Sequence, residues 1–286
     1  MRILVTGAAG LLGREVVALA AARGHDVVAA AREMLDVTDG EAAARVLADV
    51  RPGAVVHCAA YTAVDRAEEE PELAMRVNGR GTAHVARAAA GAGARLVTIS
   101  SDYVFDGSAD GIPYRPQDSP GPLSIYGRSK LEGERIALAS SPGALVVRTS
   151  WLYGAGGPSF VTGMLERGRN GAPLRVVDDQ RGRPTWTRNA AAGVLDLLHR
   201  RARGIWHVAD GGDATWLELA REAFRLRGVE TPLGPISTEA WGAASPRPRY
   251  SVLDVSGTEA LLGRAMTDWR VALACFLGQP SQGTTP

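Results

Sequence analysis

Tyr126 and Lys130 stand four residues apart, a spacing that puts both on one face of a helix. A phenol with a pKa near ~10 is a poor acid–base group at neutral pH unless a cation stabilises its phenolate. Lys130 is such a cation, and its ammonium could also bond the ribose hydroxyls of a nicotinamide nucleotide. Ser101 follows the apolar run Arg95–Ser100, which reads as a strand. Ligands of parallel sheets bind at that end of a strand, where the Ser101 hydroxyl could hold a carbonyl oxygen beside the Tyr126 proton. Alone, Tyr-x-x-x-Lys is more often a surface helix pair than a catalytic one. A second element narrows it: Gly7-x-x-Gly10-x-x-Gly13 directly follows Ile3-Leu-Val-Thr6. A strand, a glycine turn and a helix in that order suit a pyrophosphate, because the glycines allow close backbone approach and the helix N-terminus offers free N–H groups. The two elements together describe carbonyl reduction, or alcohol oxidation, with a nicotinamide dinucleotide.

The remaining cofactor positions follow from the same layout. Gly7, Gly10 and Gly13 with the first helical residues Leu11 and Leu12 form the pyrophosphate turn. The second strand ends Ala29-Ala-Ala-Arg32, with no acidic residue to grip a ribose 2′-hydroxyl. Arg32 either faces a 2′-phosphate or is simply solvated, and Arg14 is near enough in sequence to help. Asp36 and Val37 stand where an adenine could be contacted. Ala59, Ala60, Tyr61 and Thr62, ending the third strand, line the other side, with Ile99, Tyr126 and Lys130 nearer the nicotinamide. The expected cofactor is NADPH, with NADH also accepted.

The elements that must position these residues alternate. Strands are expected at Arg2–Thr6, Asp26–Ala30, Ala54–Cys58, Arg95–Ser100 and Ala144–Thr149. Helices are expected at Leu11–Arg23, Glu41–Val50, Pro71–Gly91 and Ser124–Ser140. The strand runs are Val-rich and continuous, as for strands covered on both faces. The fold class is therefore α/β, a doubly wound parallel sheet (Rossmann-like) with a smaller C-terminal α/β substrate lobe. Residues 1–150 form the dinucleotide-binding domain. Residues 151–286 form mainly the substrate lobe, with a return to the first domain near 186–203 and a disordered tail from about residue 280. Within the second half, helices are expected at Phe160–Asn170, Asn189–Arg200 and Thr215–Leu226, strands at Leu174–Val177 and Gly204–Val208, and a Pro- and Gly-rich stretch at Pro232–Pro248.

Bulk properties exclude several classes. The 286 residues carry a net charge of +1, with 45% hydrophobic and 22% charged residues, which argues for a globular protein with no field for nucleic acid or membrane. No run of 18 apolar residues occurs, and a cytoplasmic location is expected. The two cysteines, Cys58 and Cys275, fit neither a disulfide framework nor a zinc site. Cys58 reads as an inert core thiol.

Longer motifs carry a resemblance. Gly7–Gly13, Ala59-Ala-Tyr-Thr-Ala-Val-Asp65, Ser100-Ser-Asp-Tyr-Val-Phe-Asp-Gly107, Tyr126-Gly-Arg-Ser-Lys130, Arg148-Thr-Ser-Trp-Leu-Tyr-Gly154, Gln180-Arg-Gly-Arg-Pro-Thr185 and Arg247-Pro-Arg-Tyr-Ser-Val-Leu-Asp254 span nearly the whole chain. In this set the sequence resembles the dTDP-4-dehydrorhamnose reductase family of extended short-chain dehydrogenases/reductases. The resemblance implies NAD(P)H-dependent reduction of the C4 ketone of dTDP-4-dehydro-β-L-rhamnose. It makes Tyr126 the proton donor, Lys130 its partner and Ser101 the carbonyl-side hydroxyl, and it puts Asp102 and Trp151 against the sugar. Trp151 has a second reading as a core aromatic. Family members often carry Thr where Ser101 stands, which keeps the hydroxyl. Some dimerise through magnesium held by acidic side chains. Here Glu15 is present, but no carboxylate follows Pro184-Thr185 until Asp196, so a homodimer is expected without a metal bridge, and no metal site is assigned. Other readings are a 4-ketoreductase of another dTDP-deoxysugar and a non-catalytic regulatory relative. The intact Ser101/Tyr126/Lys130 set argues against the latter.

Overall fold

The computed structural model describes residues 1–109 and 111–278. The expected disordered tail lies outside the described residues. Twelve strands are present among them: β1 (Arg2–Thr6), β2 (Asp26–Ala30), β3 (Ala54–His57), β4 (Arg95–Ser101), β5 (Leu145–Thr149), β6 (Leu152–Tyr153), β7 (Leu174–Val177), β8 (Arg181–Gly182), β9 (Thr185–Trp186), β10 (Gly204–His207), β11 (Ala214–Thr215) and β12 (Leu233–Ile236). Six form one parallel sheet in the order β10-β5-β4-β3-β1-β2. β1 lies between β2 and β3, so the winding reverses there and opens a crevice at the strands' C-terminal ends. β3 and β5 are buried at every residue, which explains their apolar runs Ala54–Val56 and Leu145–Val147.

Helices cover both faces. α1 (Leu11–Ala22) lies on one face, and α2 (Gly40–Val50) on the other. Then come α3 (Val64–Glu69), α4 (Pro71–Met75), a π-helical stretch (Arg76–Gly81), α5 (Thr82–Gly91) and α6 (Ile125–Ser140). The second half adds α7 (Phe160–Gly168), α8 (Thr187–His199), α9 (Trp216–Arg227), α10 (Thr238–Trp241), α11 (Ser256–Leu262) and α12 (Trp269–Phe276). Val16 and Ala20 of α1 meet Val194, Leu195 and Leu198 of α8 in one core layer. Ala43 and Leu47 of α2, Val85 and Ala89 of α5 and Ala137 of α6 fill the other. A third core gathers Met164, Leu217, Phe224, Trp269 and Leu273 around α7, α9 and α12.

Three differences from the sequence reading have physical causes. The helix expected over Pro71–Gly91 is interrupted by the π-helical stretch, where one extra residue per turn shifts the ladder. The β6–β9 and β8–β11 pairs are two residues long per strand, too short to show alternation. The Pro/Gly-rich stretch holds a real strand, because β12 pairs parallel with β7 from Leu233↔Leu174 to Ile236↔Val177.

Candidate active site

The glycine turn ends β1 at the reversal. Gly7 adopts φ +62°, and a Cβ there would fall 2.5 Å from the Ala59 amide nitrogen, just past β3. A Cβ on Gly13 would lie 2.2 Å from the Gly7 carbonyl oxygen. Only glycine lets the turn, the start of α1 and the end of β3 approach this closely. No side chain caps α1 at Gly10, so its first N–H groups face the crevice unpaired by a cap. These residues fit a dinucleotide pyrophosphate. Leu12, also expected at the cofactor, is 6% exposed and its side chain belongs to the core; only its backbone serves the turn. The Arg14 guanidinium donates from Nε to the Ala9 carbonyl at 2.7 Å, bracing the turn.

At the adenosine end Arg32 is exposed and pairs with Asp36 at 3.3 Å. Asp36 also accepts from the Thr38 backbone N–H and hydroxyl, and these bonds hold its carboxyl below the usual range. Val37 is 5% exposed and packs on Gly81, so its side chain offers little surface to an adenine. Ala59, Ala60 and Tyr61 are partly exposed beyond β3, and Thr62 is exposed. The Tyr61 hydroxyl donates to Glu70 at 2.6 Å.

The α6 helix carries Tyr126 and Lys130. Ser124 caps it by accepting the Gly127 N–H at 3.0 Å, and Glu68 of α3 accepts the Ile125 N–H at 2.9 Å. Gly127 lets the helix touch the turn after β4, since a Cβ there would meet the Tyr103 carbonyl at 2.2 Å. Further along, Glu134 takes a two-pronged bond from Arg148 of β5 at 2.8 and 2.7 Å, with both side chains buried. That pair pins α6 to the sheet, and removing one partner would strand a buried charge.

Lys130 is buried, and its ammonium donates to the Ile99 carbonyl of β4 at 2.7 Å. Burial lowers it to about 8, partly opposed by Glu134. Burial pushes the Tyr126 phenol up to about 12, while the neighbouring Ser101 hydroxyl pulls it down and Asp102 pushes it up. This revises the expectation that Lys130 depresses Tyr126. In this geometry the ammonium is engaged by Ile99, and Tyr126 is a neutral phenol holding its proton. Ser101, at the end of β4, accepts the Tyr103 N–H at 3.2 Å and donates to Asp102 at 3.0 Å.

The two residues expected against the sugar have partners within the chain. Asp102 is 1% exposed, and its second oxygen accepts from Ser251 at 2.6 Å, so the carboxyl is shared between two serines. Trp151 has φ +47° and stacks on Trp216 with ring centroids 3.5 Å apart and planes 3° apart. One face of its ring therefore belongs to the C-terminal lobe, although the residue remains half-exposed.

Several site neighbours escaped the sequence reading. Tyr103 packs edge-on to Tyr126, with ring centroids 5.6 Å apart. Buried Asn78, in the π-helical stretch, bonds both backbone groups of Tyr61 and the Ser129 hydroxyl, tying the end of β3 to α6. Arg247 pairs with Asp65 at 2.8 Å and lies over the Trp241 ring. Arg247 and Ser251 do lie in one of the motifs that carried the resemblance, but nothing local in the sequence names their partners. Among the described residues no group of three or more His, Cys, Asp or Glu side chains gathers to hold a metal, and no helix is long and apolar enough to cross a membrane.

Glycine turn and phenol–ammonium pair open on the same ends of β1, β3 and β4, which is the construction of a nicotinamide-dependent short-chain dehydrogenase/reductase of the extended type. The family model described as RmlD substrate binding domain matches residues 1–281. A dTDP-4-dehydrorhamnose reductase from Streptomyces griseus is 47% identical, over 95% of this chain and 91% of the relative. A Streptomyces antibioticus protein named as a probable dTDP-4,6-dihydroxy-2-methyloxan-3-one 4-ketoreductase is 43% identical over 96% of this chain and 93% of that protein. The crystal structure of the Bacillus anthracis dTDP-4-dehydrorhamnose reductase in complex with NADP superposes with a TM-score of 0.93 at 36% identity, covering 96% of this chain and 98% of that one. The chain belongs to the dTDP-4-dehydrorhamnose reductase family.

Proposed function

We propose that this enzyme reduces the C4 ketone of dTDP-4-dehydro-β-L-rhamnose to dTDP-β-L-rhamnose, using NADPH at least as well as NADH. The observation that carries the reading is Ser101 beside Tyr126, with Lys130 anchored on β4 two residues before Ser101, in a chain whose relatives over nearly full length bear that activity's name. The nicotinamide, when bound, supplies the hydride. Tyr126, a neutral phenol at physiological pH, gives its proton to the ketone oxygen. Lys130, charged at neutral pH and held in place by the Ile99 carbonyl, would bond the ribose hydroxyls of the nicotinamide half. Ser101 orients the ketone oxygen toward Tyr126. Gly7, Gly10 and Gly13 would hold the pyrophosphate against the N-terminus of α1, and Arg32, exposed just past β2 and paired with Asp36, would face a 2′-phosphate.

The test is a coupled assay. The 4-keto sugar is made enzymatically, this protein and NADPH are added, and the product is identified by NMR. dTDP-β-L-rhamnose is expected, and no NADPH oxidation would end the reading. A second reading, a 4-ketoreductase of another dTDP-deoxysugar, is favoured by the Streptomyces antibioticus relative. A different C4 epimer in the same assay would select it.

A further inference from the structure

The Ser101 hydroxyl has one hydrogen, and two groups require it. It points at Asp102 Oδ1, 3.0 Å away, whereas the reductase reading needs it on the substrate carbonyl. An ionised carboxylate only accepts hydrogen bonds, so an ionised Asp102 holds that hydrogen. A neutral Asp102 reverses the bond. With its proton on Oδ1 it donates to Ser101 Oγ, whose other lone pair already receives the Tyr103 N–H at 3.2 Å. Both acceptor sites of Ser101 are then filled, and its hydrogen is directed outward.

What decides which oxygen carries the proton is the other end of the chain. The segment from Ser245 to Asp254 runs as a strap between the lobes. Ser245 and Arg247 bond Asp65, the Arg249 carbonyl and Ser251 N–H bond the backbone of Arg181, and Asp254 bonds the Tyr114 carbonyl. At its centre buried Ser251 donates to Asp102 Oδ2 at 2.6 Å. With Oδ2 occupied by a donor, an acid proton belongs on Oδ1, facing Ser101.

We propose that Asp102 and Ser251 are positioning residues: Ser251 holds one oxygen of a neutral Asp102, whose proton on the other oxygen turns the Ser101 hydrogen onto the substrate carbonyl. The inference rests on the reductase reading and adds to it a protonation requirement. Burial supports the neutral form by raising the Asp102 carboxyl to about 6, against the opposing pull of the two serines and the backbone N–H groups of Asp102 and Tyr103. The ionisable groups facing it are Tyr126 from α6 and Tyr103 from its own turn, both pushed up by burial and further by its charge, with Arg247 of the strap beside Tyr103. Substrate that takes the Ser101 hydrogen removes one donor from the carboxylate and favours the neutral form further.

The experiment compares kcat/KM for the 4-keto sugar and NADPH between the unmodified enzyme and Asp102→Asn across pH. Asparagine accepts from Ser251 through its oxygen and donates to Ser101 through its amide, copying the neutral acid at every pH. The ratio of variant to unmodified kcat/KM is expected to rise about 25-fold between about pH 5.5 and about pH 7.5, because only the unmodified enzyme titrates there. Taking the ratio cancels the pH dependence of all other groups. A flat or falling ratio overturns the proposal. Carbon-13 NMR of aspartate-labelled protein follows the same carboxyl without turnover. A midpoint near about 6 in the unmodified protein is expected, rising in Ser251→Ala and restored by Ser251→Thr. A midpoint in the ordinary carboxylate range, or one that Ser251→Ala leaves unmoved, overturns it. Failure of the reductase reading is recognised separately, as absence of turnover by the unmodified enzyme.

Discussion

Replacing Lys130 by methionine is expected to disable the enzyme and stabilise the fold. Lys130 is 8% exposed, and burial lowers its ammonium from the ordinary 10.5 to about 8. At about 1.4 kcal/mol per pH unit, holding that charge in the folded chain costs on the order of 3 kcal/mol. Methionine occupies similar volume without charge, but it leaves the Ile99 carbonyl without its donor, which costs about 1 kcal/mol. The net gain is about 2 kcal/mol, and each kcal/mol moves the Tm by about 2–4 °C in chains approaching this size. The sign also depends on pH. Below about 8 the lysine is charged in both folded and unfolded chains, and the full cost is present. Between about 8 and 10.5 the folded chain releases its proton first, so the unmodified protein gains stability and the variant's advantage disappears. Urea unfolding of both proteins near neutral pH and again at about pH 10 measures this directly. In parallel, kcat should fall and cofactor binding should weaken. A variant less stable than the parent at neutral pH would refute the desolvation argument, as would an advantage that persists unchanged in alkali.

Three further outcomes are expected. Tyr126→Phe lowers kcat by roughly 10²-fold or more while leaving the Tm and NADPH affinity nearly unchanged, and near-normal turnover would remove it as proton donor. Arg32→Ala erodes any NADPH preference, since a charge-assisted bond to a 2′-phosphate is worth ~1.5–3 kcal/mol; kcat/KM for both cofactors decides, and a strong NADH preference in the unmodified enzyme would contradict it. Trp151→Ala loses a ring stack worth ~0.5–1.5 kcal/mol beyond its buried area, lowering the Tm. It should also raise KM for the sugar without changing NADPH affinity, and a lower Tm with unaltered sugar kinetics would take Trp151 out of the site.

How much of this was legible in the sequence depends on how local the cause is. The runs Ile3–Val5, Ala54–Val56 and Leu145–Val147 are buried on both faces, and their unbroken apolar character announces central strands. Gly7 and Gly13 are similarly readable, because steric need at a turn leaves a glycine. Asn78 was not readable: its position depends on a π-helical stretch that no periodicity marks, and its partners lie 17 and 51 residues away. The surroundings of Asp102 were hidden for a related reason. The resemblance alone put it against the sugar, and only the arrival of Ser251 from 149 residues downstream shows the carboxyl enclosed. The partner of Trp151 was equally out of reach, since Trp216 lies 65 residues on and stacks on one face of its ring.

The strap has a consequence for the order in which the protein is made. Ser251 meets Asp102 across 149 residues, and Arg247 meets Asp65 across 182. Closing loops of that length comes late, after local pairings have formed. During vectorial synthesis β1, α1, β2 and β3, which carry the glycine crevice, emerge first, and α8 then covers α1 well before the strap is made. The groups that aim Ser101 are still inside the ribosome at that stage. A growing chain is thus expected to acquire affinity for its nucleotide well before it acquires chemistry, so that bound nucleotide reports an early stage of maturation and turnover reports the last.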